Sequence, residues 1–186
     1  MSTSNITPID LSVLEATFSQ LDIQGVKYGL GAKAEGGQHP ETGRRFNPRS
    51  TGKLSTPLHT ITHIDCSGAI RLLAYKSTGG KLIFPDGSQR QREQCEEWHE
   101  AGLIKKVNYR DVSKYMTHKR LFIAFIRPGH RGCGPVGHVW FVCQYDDDKA
   151  ADTLESHGGV GINSRPWDAR TLYNQVYSCY ELPTVA

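Results

Sequence analysis

The sequence predicts an α+β fold in which helices come first and an antiparallel sheet follows. Leucine and phenylalanine recur at helical spacing between residues 9 and 22, and a second apolar helix pattern follows Asp65. The second half of the chain carries short apolar runs bounded by glycine and proline, of which residues 121–126 are the clearest. Because this order is typical of α+β folds, we expect the helix after Asp65 to pack on the sheet.

The composition indicates one domain over residues 1–186, which is long enough to bury a core. The formal net charge is +3 and the lysines and arginines are scattered, so no nucleic-acid partner is expected. The first residues lack the basic start and apolar core of a signal peptide, and no stretch approaches the ~20 apolar residues of a membrane span. We therefore expect synthesis in the cytoplasm without such a signal, and no membrane span.

The first predicted helix occupies residues 9–22, with Asp10 or Ser12 as its N-cap. Its apolar face consists of Leu11, Leu14, Phe18 and Leu21. Residues 29–57 follow as a long loop rich in Gly, Pro, Arg and Ser. Because loops of this length in compact domains are often functional, we expect this one to border a substrate groove.

The second predicted helix begins after Asp65, a favoured N-cap residue, and ends at Gly79-Gly80. Its inner face consists of Ala69, Ile70, Leu72 and Leu73. Residues 88–101 are polar strong helix formers closed by Gly102, and they predict a surface helix. Residues 103–107 predict a short strand.

Three strands are predicted in the second half, over residues 121–126, 138–144 and 153–157. An acidic loop at residues 146–149 joins the last two. The aromatic residues between 173 and 182 supply a final strand or a short helix.

Cys66 is the candidate nucleophile because it falls in the first turn of the helix that Asp65 caps. At that end the backbone N–H groups and the helix dipole favour a thiolate, and the same N–H groups can receive a developing oxyanion. A cysteine in this position is suited to attack acyl groups. His138 is the candidate base, since it opens an apolar strand directly after Gly137, a residue that leaves space for a neighbouring group.

Three segments in this order resemble the NlpC/P60 family, papain-like cysteine peptidases that cut bacterial cell-wall peptides. Residues 65–68, Asp-Cys-Ser-Gly, are similar to the nucleophile motif, residues 28–31 to the Tyr-x-x-Gly segment, and residues 137–139 to the Gly-His-Val strand. The resemblance implies a papain-like fold in which Cys66 attacks and His138 is the general base.

The family also places a third polar residue, usually His, Asn or Gln, on the next strand, where it orients the histidine. Here Glu155 and His157 lie two apart on the predicted strand, so their side chains share a face. His157 is preferred for its residue type, but Glu155 can take the same position. The choice stays open.

Three further residues are candidates for the substrate or oxyanion side of the site, and for Tyr28 the alternative is a core tyrosine at a strand start. The resemblance implies that Tyr28 projects its hydroxyl into the site. Ser67 contacts substrate or shares in capping the helix, and Asp65 binds a substrate amine or caps the helix. Trp140 and Trp167 line a groove or belong to the core.

The remaining cysteines and histidines leave a metal-binding alternative. A zinc site is compatible in spacing with two segments, provided that they meet in space: Cys95-x3-His99 and His130-x2-Cys133. Because this spacing matches no standard zinc motif, no cofactor is predicted. Buried apolar thiols are the simpler interpretation for the cysteines other than Cys66.

The resemblance implies hydrolysis of peptide bonds in peptidoglycan stem peptides or cross-links. Action in the periplasm or cell wall would then need delivery by a secretion apparatus or by lysis, as for an antibacterial toxin or a phage-type lysin. A toxin would also need an immunity protein as its inhibitor. The alternatives are a CHAP-type amidase or an acyltransferase of the same superfamily, and a non-catalytic binding module, zinc-stabilised or not.

Overall fold

The computed structural model describes residues 5–32, 54–115, 120–130, 135, 137–144, 151–167 and 175–185. Within these ranges the first three helices agree with the sequence patterns, whereas a short fourth helix was not predicted. Asp10 caps the first one, because its carboxylate accepts a hydrogen bond from the backbone N–H of Val13 at 3.1 Å. The helices are α1 (Leu11–Ile23), α2 (Cys66–Ser77), α3 (Ser88–Glu100) and the short α4 (Val112–Tyr115).

The strands form one main sheet and two small pairs. They are β1 (Ile9–Asp10), β2 (Lys27–Tyr28), β3 (His63–Ile64), β4 (Lys105–Lys106), β5 (Leu121–Ile126), β6 (His138–Cys143), β7 (Asp152–His157), β8 (Gly161–Pro166), β9 (Ser178–Leu182) and β10 (Thr184–Val185). The main sheet has the order β4-β9-β5-β6-β7-β8, and every neighbouring pair in it is antiparallel. β1 pairs with β10, and β2 pairs with β3, both in parallel.

Apolar side chains cover both faces of the main sheet. One face packs against α1 and α2, where Leu14, Phe18 and Leu73 are fully buried. The opposite face carries a second cluster that includes Trp140 and Trp167. Because α2 lies against β6 and β7, its first residue is brought to the strands that carry the candidate base and its partner.

The predicted mixture of helices and antiparallel sheet is confirmed, with two differences in detail. Residues 161–166 form β8, which the sequence did not predict. The aromatic segment expected to form a last strand or a short helix contains strand β9, which is inserted between β4 and β5, so the sheet is a meander only from β5 to β8. The acidic loop at 146–149 and most of the long loop, residues 33–53, lie outside the described residues. In the part of the chain that is described, no helix is long and apolar enough to cross a membrane.

Candidate active site

The start of α2 is held by a short hydrogen-bond network around Asp65. Its Oδ1 accepts from the backbone N–H of Gly68 at 2.7 Å, and its Oδ2 accepts from the backbone N–H of Gly31 at 3.0 Å. A Cβ on Gly68 would lie 2.6 Å from the carbonyl oxygen of Ala32. Glycine is therefore needed for the chain at Ala32 to approach the helix, and this approach fixes the first turn.

Cys66 is the first residue of α2 and is 6% exposed. Its backbone N–H belongs to the group at a helix start that has no partner within the helix itself. The hydroxyl of Ser156 on β7 donates to the carbonyl of Ile64 at 2.8 Å, which ties the approach to Cys66 to the main sheet. The thiol is thus placed at the positive end of the helix and beside the strands.

His138 begins β6 and faces Cys66. Gly137 precedes it with φ +71°, and a Cβ there would lie 2.6 Å from the carbonyl oxygen of Ile126. The predicted need for space at Gly137 is therefore confirmed. The imidazole is 8% exposed, stacks on Trp140 with ring centroids 5.3 Å apart, and is close enough to Cys66 for the two side chains to interact.

Glu155 on β7 bonds the other side of the imidazole. His138 Nε2 lies 2.8 Å from Glu155 Oε2, which leaves Nδ1 as the ring nitrogen for the thiol. The second oxygen, Oε1, accepts from Thr153 Oγ1 at 2.7 Å and from Arg165 Nε at 2.9 Å. Both oxygens of this fully buried carboxylate are thus engaged, so its position beside the ring is well determined.

The strand pairing explains why His138 and Glu155 meet. β6 and β7 pair over Phe141–Leu154, Val142–Thr153 and Cys143–Asp152. Among the described residues of these strands, the pairing does not continue to His138. Beyond Phe141 the backbones are free to separate, and the imidazole and the carboxylate lie where the pairing has ended.

The electrostatics favour opposite charges on this pair. Burial lowers the pKa of His138, but hydrogen bonds and charges of Cys66 and Glu155 outweigh it and raise the pKa to about 9. Burial raises the pKa of Glu155, but the hydrogen bonds from His138 and Arg165 lower it to about 2. At neutral pH the site therefore holds an imidazolium against a carboxylate.

His157, the preferred third residue in the sequence analysis, is not the group bonded to the imidazole. Its Nδ1 lies 3.0 Å from the carbonyl oxygen of the adjacent Gly158, at the end of β7. Burial lowers its pKa, and the nearby charge of Arg165 acts in the same direction. The strand ends at this residue and turns into β8, so its ring stays with the turn while Glu155 reaches His138.

The other predicted site residues are placed near Cys66 but in different roles. Asp65 and Ser67 are buried, and the Ser67 hydroxyl donates to Asp65 Oδ1 at 3.1 Å. Of the two uses considered for these residues, the structure shows capping. Tyr28 is half-buried on β2, paired with Ile64, and so lies close to the nucleophile along the backbone.

The predictions for the two tryptophans and for a zinc site can each be compared with the structure. Trp140 and Trp167 are core residues with ring centroids 6.1 Å apart, so they do not line an open groove. Cys95 is fully buried on the inner face of α3, and Cys133 lies outside the described residues. Across the described ranges, no group of three or more His, Cys, Asp or Glu side chains is arranged to hold a metal ion.

Thr153 and Arg165 complete the site and were missed by the sequence analysis. They are paired across β7 and β8, and the Thr153 hydroxyl also accepts from the backbone N–H of Arg165 at 3.2 Å. The signal in the sequence was indirect. A carboxylate on a strand buried on both faces requires a cation, but β8 itself had not been recognised.

Comparison with solved structures finds proteins of related fold. A protein similar to a lipoprotein, of the NLP/P60 family, from Staphylococcus aureus subsp. aureus Mu50 aligns with a TM-score of 0.51 and 13% sequence identity. The alignment covers 100% of this chain and 46% of that chain. No family model and no curated protein matches the chain. The likeness shows a shared mixture of helix and antiparallel sheet.

Proposed function

We propose that this chain is a papain-like thiol hydrolase that cleaves peptide or amide bonds in bacterial peptidoglycan. The observation that carries the proposal is the chain of contacts from Cys66 at the start of α2, through His138, to the buried Glu155. A thiol, a base and a group that orients the base are the parts that nucleophilic acyl transfer requires. The likeness to an NLP/P60 fold supports the wall as substrate.

In the proposed mechanism the sulfur of Cys66 attacks the carbonyl carbon, while His138 carries the thiol proton. The backbone N–H groups at the start of α2 stabilise the oxyanion. His138 Nδ1 then protonates the leaving amine, and a thioester forms on Cys66. Water, deprotonated by His138, hydrolyses the thioester and restores the thiolate–imidazolium pair. Glu155 holds the ring with Nδ1 towards sulfur throughout and stabilises the protonated form of His138.

The proposal is tested by digesting purified sacculi with the wild type and with Cys66→Ala. We expect defined fragments from the wild type and none from the variant, and the fragment masses identify the bond. Cleavage between sugar and peptide would indicate the amidase alternative. Fragments released equally by both proteins would contradict the proposal.

Thiol reactivity supplies an independent readout. Cys95, Cys143 and Cys179 are fully buried, and burial raises the pKa of each thiol, so iodoacetamide should modify Cys66 before any of them. Slower modification of Cys66 would favour the non-catalytic binding module. Delivery by a secretion apparatus or by lysis, and an immunity protein, stay predictions that depend on the wall being the substrate.

A further inference from the structure

Two arginine side chains line a cavity beside the candidate active site. Its walls come from the start of α3, the end of β5 and Tyr177, with Ser88, Arg92, Ile126 and Arg127 among the lining residues. The backbone N–H of Tyr177 donates to the carbonyl of Phe125 at 2.7 Å, so the tyrosine is anchored to β5. The cavity is therefore built on regular elements of the fold.

Two guanidinium groups converge on the Tyr177 ring. The Cζ atoms of Arg92 and Arg127 lie 5.4 Å and 5.8 Å from the ring centroid. Within the described ranges, neither arginine forms an ion pair with a carboxylate. Two cations near one ring create a positive potential in the cavity, and an anion bound there would gain favourable Coulomb energy.

The helix beside them adds to the same potential. α3 has 13 residues, its N-cap Gly87 makes no side-chain capping bond, and its first turn carries no acidic residue. The positive end of the helix dipole therefore adds to the field of the arginines. The planar guanidinium groups match a carboxylate, with which they form paired hydrogen bonds.

Two contacts connect this cavity to the reacting residues. Ile126, which lines it, is paired with His138 across β5 and β6. Gln91, next to Arg92 on α3, donates its Nε2 to the carbonyl of Ser67 at 2.9 Å, one residue from Cys66. The two elements that line the cavity, α3 and β5, are thus bonded to the elements that carry Cys66 and His138.

We propose that the cavity is a subsite for a carboxylate of the substrate, held by Arg92 and Arg127 while Cys66 attacks a nearby carbonyl. This inference rests on the proposed function, since it takes Cys66 as the nucleophile. It assigns the substrate class more narrowly, as a peptide that carries a free carboxylate a few bonds from the scissile amide.

The test uses chloroacetyl-glycylglycine, as the free acid and as the terminal amide, to alkylate Cys66. The carbon–chlorine bond breaks as sulfur bonds to that carbon, and chloride leaves. In the wild type we expect the acid-to-amide rate ratio to be roughly three- to tenfold higher than in the double variant Arg92→Gln, Arg127→Gln. Arg90→Gln, on the same helix but outside the cavity, should keep the wild-type ratio. Mass spectrometry of the Cys66 peptide gives the rates.

A second measurement needs no variant. Free glutarate should slow the acid reagent more than the amide in the wild-type protein, because both anions compete for one subsite. Equal ratios in wild type and double variant, or equal slowing by glutarate, would overturn the inference. If Cys66 still reacts with iodoacetamide before the other cysteines, the proposed function survives that result; if it does not, the proposed function itself fails.

Discussion

At the scale of single residues, the identity of the group behind His138 decides the charge on the imidazole. A carboxylate stabilises the imidazolium, whereas a neutral amide or a second histidine would not do so to the same extent. Here Glu155 bonds His138 and is itself held by Thr153 and Arg165. The imidazole of His138 is therefore charged at neutral pH, as the proposed mechanism requires of the group that protonates the leaving amine.

Glu155→Gln should move the alkaline limb of the pH–rate profile to lower pH. The His138 pKa of about 9 depends in part on Glu155, and removal of an adjacent negative charge lowers the pKa of an imidazolium. We expect a shift of roughly one to three pH units, towards the ordinary value of histidine. The measurement is the pH dependence of fragment release from sacculi between neutral and alkaline pH.

His157→Gln is the matched control, since it changes the neighbour two residues along the same strand. Because His157 bonds the Gly158 carbonyl and not the His138 ring, its profile should keep the wild-type alkaline limb. A shift in His157→Gln with none in Glu155→Gln would reverse the assignment of the third residue.

At the scale of elements, Gly137, which directly precedes β6, determines the position of His138. Gly137 combines a positive φ with close contact to the backbone at the end of β5, where a Cβ would also lie 3.1 Å from the nitrogen of Pro128. The two strands can approach at this point only because no side chain intervenes. The position of His138 relative to Cys66 therefore depends on the lack of a Cβ at residue 137.

Gly137→Ala should lower both stability and activity. Gly25→Ala is the control that separates the effect of the positive φ from the effect of the close contact. Both glycines have φ +71°, but a Cβ on Gly25 would meet nothing within 4 Å. Each variant loses about 1 kcal/mol for the unfavourable backbone, while only Gly137→Ala adds overpacking of about 1–3 kcal/mol. Urea denaturation and fragment release measure the two effects. Equal losses in both variants would show that the close contact is unimportant.

At the scale of the whole molecule, local patterns predicted the helices well and long-range pairing less well. α1, α2 and α3 follow from apolar spacing and from caps that lie within a few residues of each other. β8 has few apolar residues in its sequence Gly-Ile-Asn-Ser-Arg-Pro, so its place in the sheet is decided by its pairing with β7. The choice between Glu155 and His157 depended on where the pairing of β6 with β7 ends, which no local pattern reveals.

The buried pair of His138 and Glu155 should make the stability of the whole domain depend on pH in a defined window. The pKa of His138 is raised from 6.5 to about 9, so its contribution is complete below 6.5 and is lost as pH rises through about 9. The pKa of Glu155 is lowered from 4.5 to about 2, so its contribution is complete above 4.5 and is lost as pH falls through about 2. Both contributions are complete only between pH 4.5 and pH 6.5.

Glu155→Gln should therefore be less stable than the wild type by about 3 kcal/mol or more between pH 4.5 and 6.5. The gap in the free energy of unfolding, from urea titrations, should narrow in acid as Glu155 takes up a proton. The gap should also narrow as pH rises from about 6.5 to 9, because the wild type loses the contribution of the charged His138, although the bond to Arg165 retains part of the gap. For Glu181→Gln, which breaks a pair with Arg120, the gap in the free energy of unfolding should not narrow between pH 6.5 and 9, because arginine keeps its charge. If the difference in the free energy of unfolding between wild type and Glu155→Gln stays constant into alkaline pH, His138 is neutral in the folded protein. The proposed mechanism, which uses an imidazolium, would then be wrong.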